Sequence, residues 1–269
     1  MPLLQKKAVL WYHIRVRLHL KGSFIMALFW ETTGTIEKGH GFSHYDLTHI
    51  LWLVFFLAAV VLSCLIYKKC TEKGRRNMRY IFAALLLADE LFKVVGLVSH
   101  GNYSADYVPL HLCSINIILI AIHAAKPSKL LGQYLYTIGI PATLMALLFP
   151  TWTKLPVLNF MHIHSFTVHI LLAVYPMMIT YGGDVKPRAK DIPKCLALLL
   201  GMAIPVYFFN LVFDTNFMFL MKADKGNPLY IFEQLFGYHW IGFPVLAAAV
   251  LIVMYVPLGI YRKIKAKTA

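Results

Sequence analysis

LTHILWLVFFLAAVVLSCLIY, residues 47–67, decides the fold. These 21 residues contain no Asp, Glu, Lys or Arg. A helix needs about 20 mostly apolar residues to cross a hydrocarbon core, whereas a strand needs about half that. Six further stretches follow the same pattern: Met78–Ser99, Tyr107–Ala125, Leu130–Phe149, Phe160–Tyr181, Ile192–Val212 and Trp240–Ile260. No linker or 20–50-residue repeat divides them. The sequence therefore predicts an all-α, polytopic integral membrane protein with seven transmembrane helices in one bundle.

Composition agrees. The 269 residues are 59% hydrophobic and 14% charged, with a mean hydropathy of +0.65. A soluble domain carries roughly 25% charged residues, so this chain could not cover a water-facing surface. Four cysteines are too few for a disulfide scaffold.

The 26 Lys and Arg outnumber the 12 Asp and Glu. In a soluble protein that excess would suggest nucleic acid. Its placement says otherwise. Loops on one side collect sixteen basic residues, beginning with Lys68, Lys69, Lys73, Arg75, Arg76 and Arg79. Loops on the other side hold three, Lys154, Lys222 and Lys225. The positive-inside rule then predicts N-terminus out, C-terminus in, a multi-pass position in the cell membrane, and no nucleic-acid partner. Residues 1–25 disagree, because Lys6, Lys7, Arg15, Arg17 and Lys21 would lie outside. The sequence divides into a basic N-terminal extension, 1–25, and a single transmembrane domain, 26–269. The extension is either an amphipathic basic arm or a mis-assigned start, with the true one at Met26; the second reading is preferred.

Ionisable groups within a bilayer are costly, so each is a candidate for function. Nine histidines, among them His49, His111, His162, His164 and His169, fall in the outer half on this topology. Asn210, Asp214, Asn216 and Glu233 join them. Such one-sidedness predicts a polar cavity opening outward, although a single interfacial histidine more often satisfies a loop or a headgroup. Cys64, Cys70 and Cys195 sit at the opposite side. Cys113 lacks a disulfide partner and is expected as a free thiol about two turns into the third span. In the second span Asp89 and Lys93 are four apart and can pair along one face, leaving Glu90 to bond elsewhere. His162-x-His164 rings diverge on a helix, and no His-x-x-x-His occurs. A metal site would need ligands from several spans. None is assigned, and no cofactor is implied. Pro141 and Pro205 are expected to kink the fourth and sixth spans. Residues 214–238 are too interrupted to span and read as an interfacial roof with a short helix.

The segment Gly41-Phe…Thr48-His49…Leu51-Trp52-Leu53 resembles the YwaF-type family of bacterial integral membrane proteins. So do Pro109-Leu-His-Leu-Cys113, His164-Ser-Phe-Thr-Val-His169 and Asn216-Phe-Met-Phe-Leu220. The chain is more distantly similar to the transmembrane protein 164 family, whose members are described as acyltransferases building ether phospholipids with an active-centre cysteine. That resemblance implies Cys113 as nucleophile.

The leading expectation is a thiol-dependent phospholipid acyltransferase or acyl hydrolase acting from the outer half of the membrane. Membrane lipid would be its partner and an acyl ester its substrate. His169 or His164 would serve as base, and His49, Glu90, His111, Asn210, Asp214 and Asn216 would orient groups or bind substrate. A proton- or ion-coupled small-solute transporter is the alternative, and a multi-helix zinc hydrolase the second alternative.

Overall fold

The computed structural model describes residues 28–268, apart from Lys38 and Gly226. The expectations for the basic segment 1–25 and for a start at Met26 lie outside the described residues. Within them the chain is all-helical, with no strand. Its elements are α1 (Leu47–Lys69), α2 (Glu72–Ser99), α3 (Leu112–Ala125), α4 (Lys129–Tyr134), α5 (Ile140–Leu148), α6 (Phe160–Tyr181), α7 (Ile192–Phe213), α8 (Leu229–Phe236) and α9 (Gly242–Thr268). A π-helical turn, Leu135–Gly139, joins α4 to α5.

Local sequence starts the helices. Asp46 caps α1: its Oδ1 accepts from the His49 N–H at 2.9 Å, and its Oδ2 accepts from Ser43 N–H at 2.9 Å. Those backbone donors stabilise the carboxylate and hold the Asp46 pKa below its ordinary value. Asn159 caps α6 in the same manner, accepting from the N–H groups of Met161 and His162.

Six helical segments are long and apolar enough to cross a membrane: α1, Ala105–Ala125, Lys129–Leu148, α6, Ala189–Phe213 and His239–Ile260. The helix α2 is longer than any of them, at 28 residues, but Arg79, Asp89, Glu90 and Lys93 make it too polar to count by composition. It nevertheless packs inside the bundle, against α3 and α6.

The central helix is α6, contacting α1, α2, α3 and α5. One apolar cluster on it gathers Tyr67, Leu86, Ile120, Tyr134, Leu172 and Tyr175. Another gathers Phe42, Phe56, Trp152, Phe166 and Ile170. By contrast α7 and α9 turn large apolar side chains outward; Val212 is 74% and Val253 73% exposed. In water that surface would be costly, whereas in lipid it needs no cover.

Two elements differ from the sequence reading. The third span was expected from Tyr107, but regular α-helix starts only at Leu112. Pro109 holds the residue before it out of the helical region, and Val108 accordingly has ψ 138°. Cys113 therefore lies in the first turn of α3, not two turns in. Fourteen residues of α-helix reach about 21 Å, less than the hydrocarbon thickness. The chain thus enters the bundle as irregular backbone at Pro109–His111. At the fourth span, the π turn ends beside Pro141, which cannot donate to the Thr137 carbonyl. The segment 214–238 contains the short helix α8, as expected.

Candidate active site

Successive helices alternate in direction, so the N-termini of α1, α3 and α6 and the C-termini of α2 and α7 meet at one end. The polar residues concentrated there fall into separate groups according to what their side chains touch.

His49 and His162 are pins. The His49 Nδ1 accepts from the Tyr45 N–H at 2.9 Å, and its Nε2–H donates to the Leu147 carbonyl at 2.7 Å. Donor on one side and acceptor on the other fix a neutral tautomer with no nitrogen to spare. His162 repeats the pattern: Nδ1–H donates to the Leu155 carbonyl at 3.2 Å, and Nε2 accepts from the Trp52 indole at 3.0 Å. Both rings are fully buried among Phe42, Trp52 and Phe166. At these two positions the expected outward-opening cavity is packed solid.

The loop after α7 is locked by its own amides. Asn210 Oδ1 accepts from Thr215 Oγ1 at 2.8 Å and Phe217 N–H at 2.9 Å, while its Nδ2 donates to the Phe217 carbonyl at 3.0 Å. Asn216 binds the backbone of Met221 and Lys222. Asp214 ends α7 in the left-handed region at φ 50°. Among the described residues none of these three hydrogen-bonds an imidazole. The clamped loop holds Met218 and Phe219 at φ 57° and 55°, an uncommon conformation for apolar residues that requires surrounding support. It reaches the mouth of α3, where the Met218 N–H donates to His111 Nδ1 at 3.4 Å and Phe217 packs edge-on to that ring.

Deeper lies a charged centre. Lys93 Nζ donates to Glu90 Oε1 at 2.5 Å. His164 Nδ1 stands 2.8 Å from Asp89 Oδ2, a close approach without hydrogen-bond geometry, and its Nε2 stands 4.0 Å from Glu90 Oε2. The expected Asp89–Lys93 pair is replaced by Glu90–Lys93, because Asp89 turns to His164 on α6. All four side chains are largely buried, so each needs the others to offset lost hydration. Cys113 is a free, half-buried thiol within electrostatic range of Lys93 and Glu90.

His169 lies over Trp152, with ring centroids 5.3 Å apart and planes at 10°. Its Nδ1–H donates to the Ser165 carbonyl at 2.5 Å, which leaves Nε2 as the basic nitrogen. It is within electrostatic range of His164, His111 and Asp89. The sequence reading missed Asn116. It is 1% exposed, with both amide atoms unpartnered, and sits one turn beyond Cys113. That i, i+3 spacing was the available signal. Among the described residues no three His, Cys, Asp or Glu side chains are arranged to hold a metal ion, so the zinc-hydrolase alternative lacks a ligand set.

Fold and centre together define an α-helical, multi-pass membrane protein with a buried cluster of charged residues beside a free thiol. The chain belongs to the TMEM164 family, whose model matches residues 41–255. That range includes Cys113, His164, His169 and the clamped loop. No curated protein and no solved structure matches the chain.

Proposed function

We propose that this protein is a phospholipid acyltransferase or acyl hydrolase that works through Cys113 within the cell membrane. One observation carries the reading: the free thiol of Cys113 lies at a helix start within electrostatic range of a buried Lys93–Glu90 pair, and Glu90 Oε2 is in turn 4.0 Å from an imidazole that also contacts Asp89. Thiol, imidazole and carboxylate are the group types that serve as nucleophile, base and orienter in covalent acyl transfer, and their grouping supports this reading.

In the proposed reaction an imidazole nitrogen, of His164 or His169, takes the thiol proton. The sulfur attacks the acyl carbonyl carbon, and the ester C–O bond breaks. The imidazolium returns its proton to the departing lysophospholipid hydroxyl. A second lysophospholipid, or water, then attacks the thioester and regenerates the thiol. Asn116 Nδ2, buried without an acceptor, is suited to donate to the oxyanion. The YwaF-type likeness rests on the quoted motifs alone.

The test uses purified protein in nanodiscs, with a phospholipid donor and a lysophospholipid acceptor followed by mass spectrometry. Transfer is expected from the wild type. Cys113→Ala should lower it by about a thousandfold, with the fold intact. Equal transfer by both proteins would sink the proposal.

The same charged centre favours one other reading, a proton-coupled carrier of a small solute. Proteoliposome uptake that survives Cys113→Ala and fails with Glu90→Gln would establish that reading instead.

A further inference from the structure

At the end opposite Cys113, three turns converge: α1 to α2, α3 to α4, and α6 to α7. Two adjoining cavities open there, of about 810 and 540 Å³, and share Arg79, Pro127 and Asp184 in their walls. Lys73, Arg75 and Arg76 line the first together with one further carboxylate, Glu72, and Lys129, Lys186 and Arg188 line the second.

The architecture of this basic vestibule is built, not merely charged. Asp184 accepts from Arg75 Nη1 at 2.7 Å and Arg79 Nη1 at 3.2 Å, and Tyr67 donates its hydroxyl to the same carboxylate at 2.5 Å. Arg75 also donates to the carbonyls of Gly182, Lys68 and Cys70. These bonds fix two guanidiniums against the wall and consume the charge of Asp184. A Cβ on Gly182 would meet the Tyr67 ring at 2.5 Å, so this close approach needs glycine. Arg188 is paired with Asp191 at 2.6 Å. Among the described residues no carboxylate pairs with Lys73, Arg76, Lys129 or Lys186. The Arg79 Nε–H is buried and finds no acceptor within the protein.

Orientation in the membrane accounts for basic residues on this side. It does not account for a concave volume, nor for arginines held in place by a spent carboxylate. We infer that the vestibule is a binding site for a phosphate-bearing anion of at least two negative charges. The unpaired Arg76 guanidinium offers forked donors to phosphate oxygens, and the unpaired lysines Lys73, Lys129 and Lys186 add flexible point charges. A cavity of several hundred Å³ takes a group larger than a single inorganic ion. An anionic lipid headgroup and a soluble diphosphate share this chemistry. The inference stands apart from the acyl-transfer reading, because it uses neither Cys113 nor the charged centre around His164.

The test measures binding of two probes to the full chain in phosphatidylcholine nanodiscs. Inorganic pyrophosphate is titrated from solution, and phosphatidate is incorporated into the disc. The informative variant is Arg76→Gln with Lys129→Gln and Lys186→Gln, all unpaired wall residues. A control removes equal charge from the same end outside the cavity, by Lys68→Gln, Lys190→Gln and Lys194→Gln. The wall variant should weaken binding at least about tenfold while the control leaves it within about twofold. Binding of pyrophosphate alone identifies a soluble ligand, and of phosphatidate alone a headgroup; either supports the site. Equal weakening by wall and control variants overturns it. So does the absence of wild-type binding to both probes at about 1 mM.

Discussion

At the scale of single residues, histidines of the same type serve different ends, and their hydrogen bonds tell them apart. His49 and His162 have both ring nitrogens committed, so their loss leaves backbone and indole groups unpaired. His162→Ala should cost about 1–3 kcal/mol of stability and leave the activity of each folded molecule intact. His164→Ala should do the reverse to activity, lowering acyl transfer about a hundredfold or more. Thermal unfolding in detergent, beside activity normalised to folded protein, separates the two classes. A His162 variant that folds normally yet is inactive would break the division. The Lys93–Glu90 pair offers a second check. Lys93→Met leaves a buried carboxylate uncompensated and should destabilise by about 3–5 kcal/mol, whereas adding Glu90→Gln should restore much of the loss. A double variant as unstable as the single would show that the pair does not carry that energy. The sequence already marked Asp89, Glu90 and Lys93 as unusual within a span. It could not reveal their pairing, because the choice of Asp89 by His164 depends on how α2 and α6 pack. Asn116 was legible only in its i, i+3 spacing from Cys113; that its amide is enclosed without partners depends on packing that the sequence does not show.

At the scale of elements, hydropathy located the helices well and their ends less well. The span predicted at Phe160–Tyr181 is α6, residue for residue, since Asn159 caps one end and Gly182 terminates the other. The start of α3 was misjudged because apolar residues continue through Pro109 while the backbone does not continue as helix. Hydropathy cannot see that difference. Capping also yields a pH dependence at the start of α1. The Asp46 carboxylate accepts two backbone N–H groups and its pKa is lowered in the fold. A lowered folded pKa means that the cap is at full strength above the unfolded value, and is lost as pH falls through the folded value. Asp46→Ala should therefore cost about 1 kcal/mol near neutrality, and the gap between variant and wild type should close in acid. Unfolding curves over that range check this, and a gap that stays constant or widens as pH falls would refute the capping account.

At the scale of the whole molecule, the course of α2 decides the number of crossings. Its charged residues keep it out of the six segments that qualify by apolar length, yet its partners decide its environment more than its composition does. Lys93 is 6% exposed and Leu86 and Leu97 are fully buried, while Leu91 and Val98 face outward at 63% and 59%. One face therefore suits lipid, and the charges turn towards α3 and α6, where a bilayer tolerates them. The antiparallel packing adds a constraint: withdrawing α2 from the membrane would expose the charged centre and remove two neighbours from the bundle. We expect seven crossings, with Arg76 on the cytoplasmic side and Tyr103 on the opposite side. Single cysteines at Arg76→Cys and Tyr103→Cys, on a background lacking the native four, report this through a membrane-impermeant maleimide. Tyr103→Cys should label in intact cells and Arg76→Cys only in inverted vesicles. Lys190→Cys and Lys222→Cys extend the test across α7, with the first labelled from the cytoplasmic side and the second from outside. Labelling of positions 76 and 103 from one side would show that α2 does not cross, and the seven-span architecture would have to be abandoned.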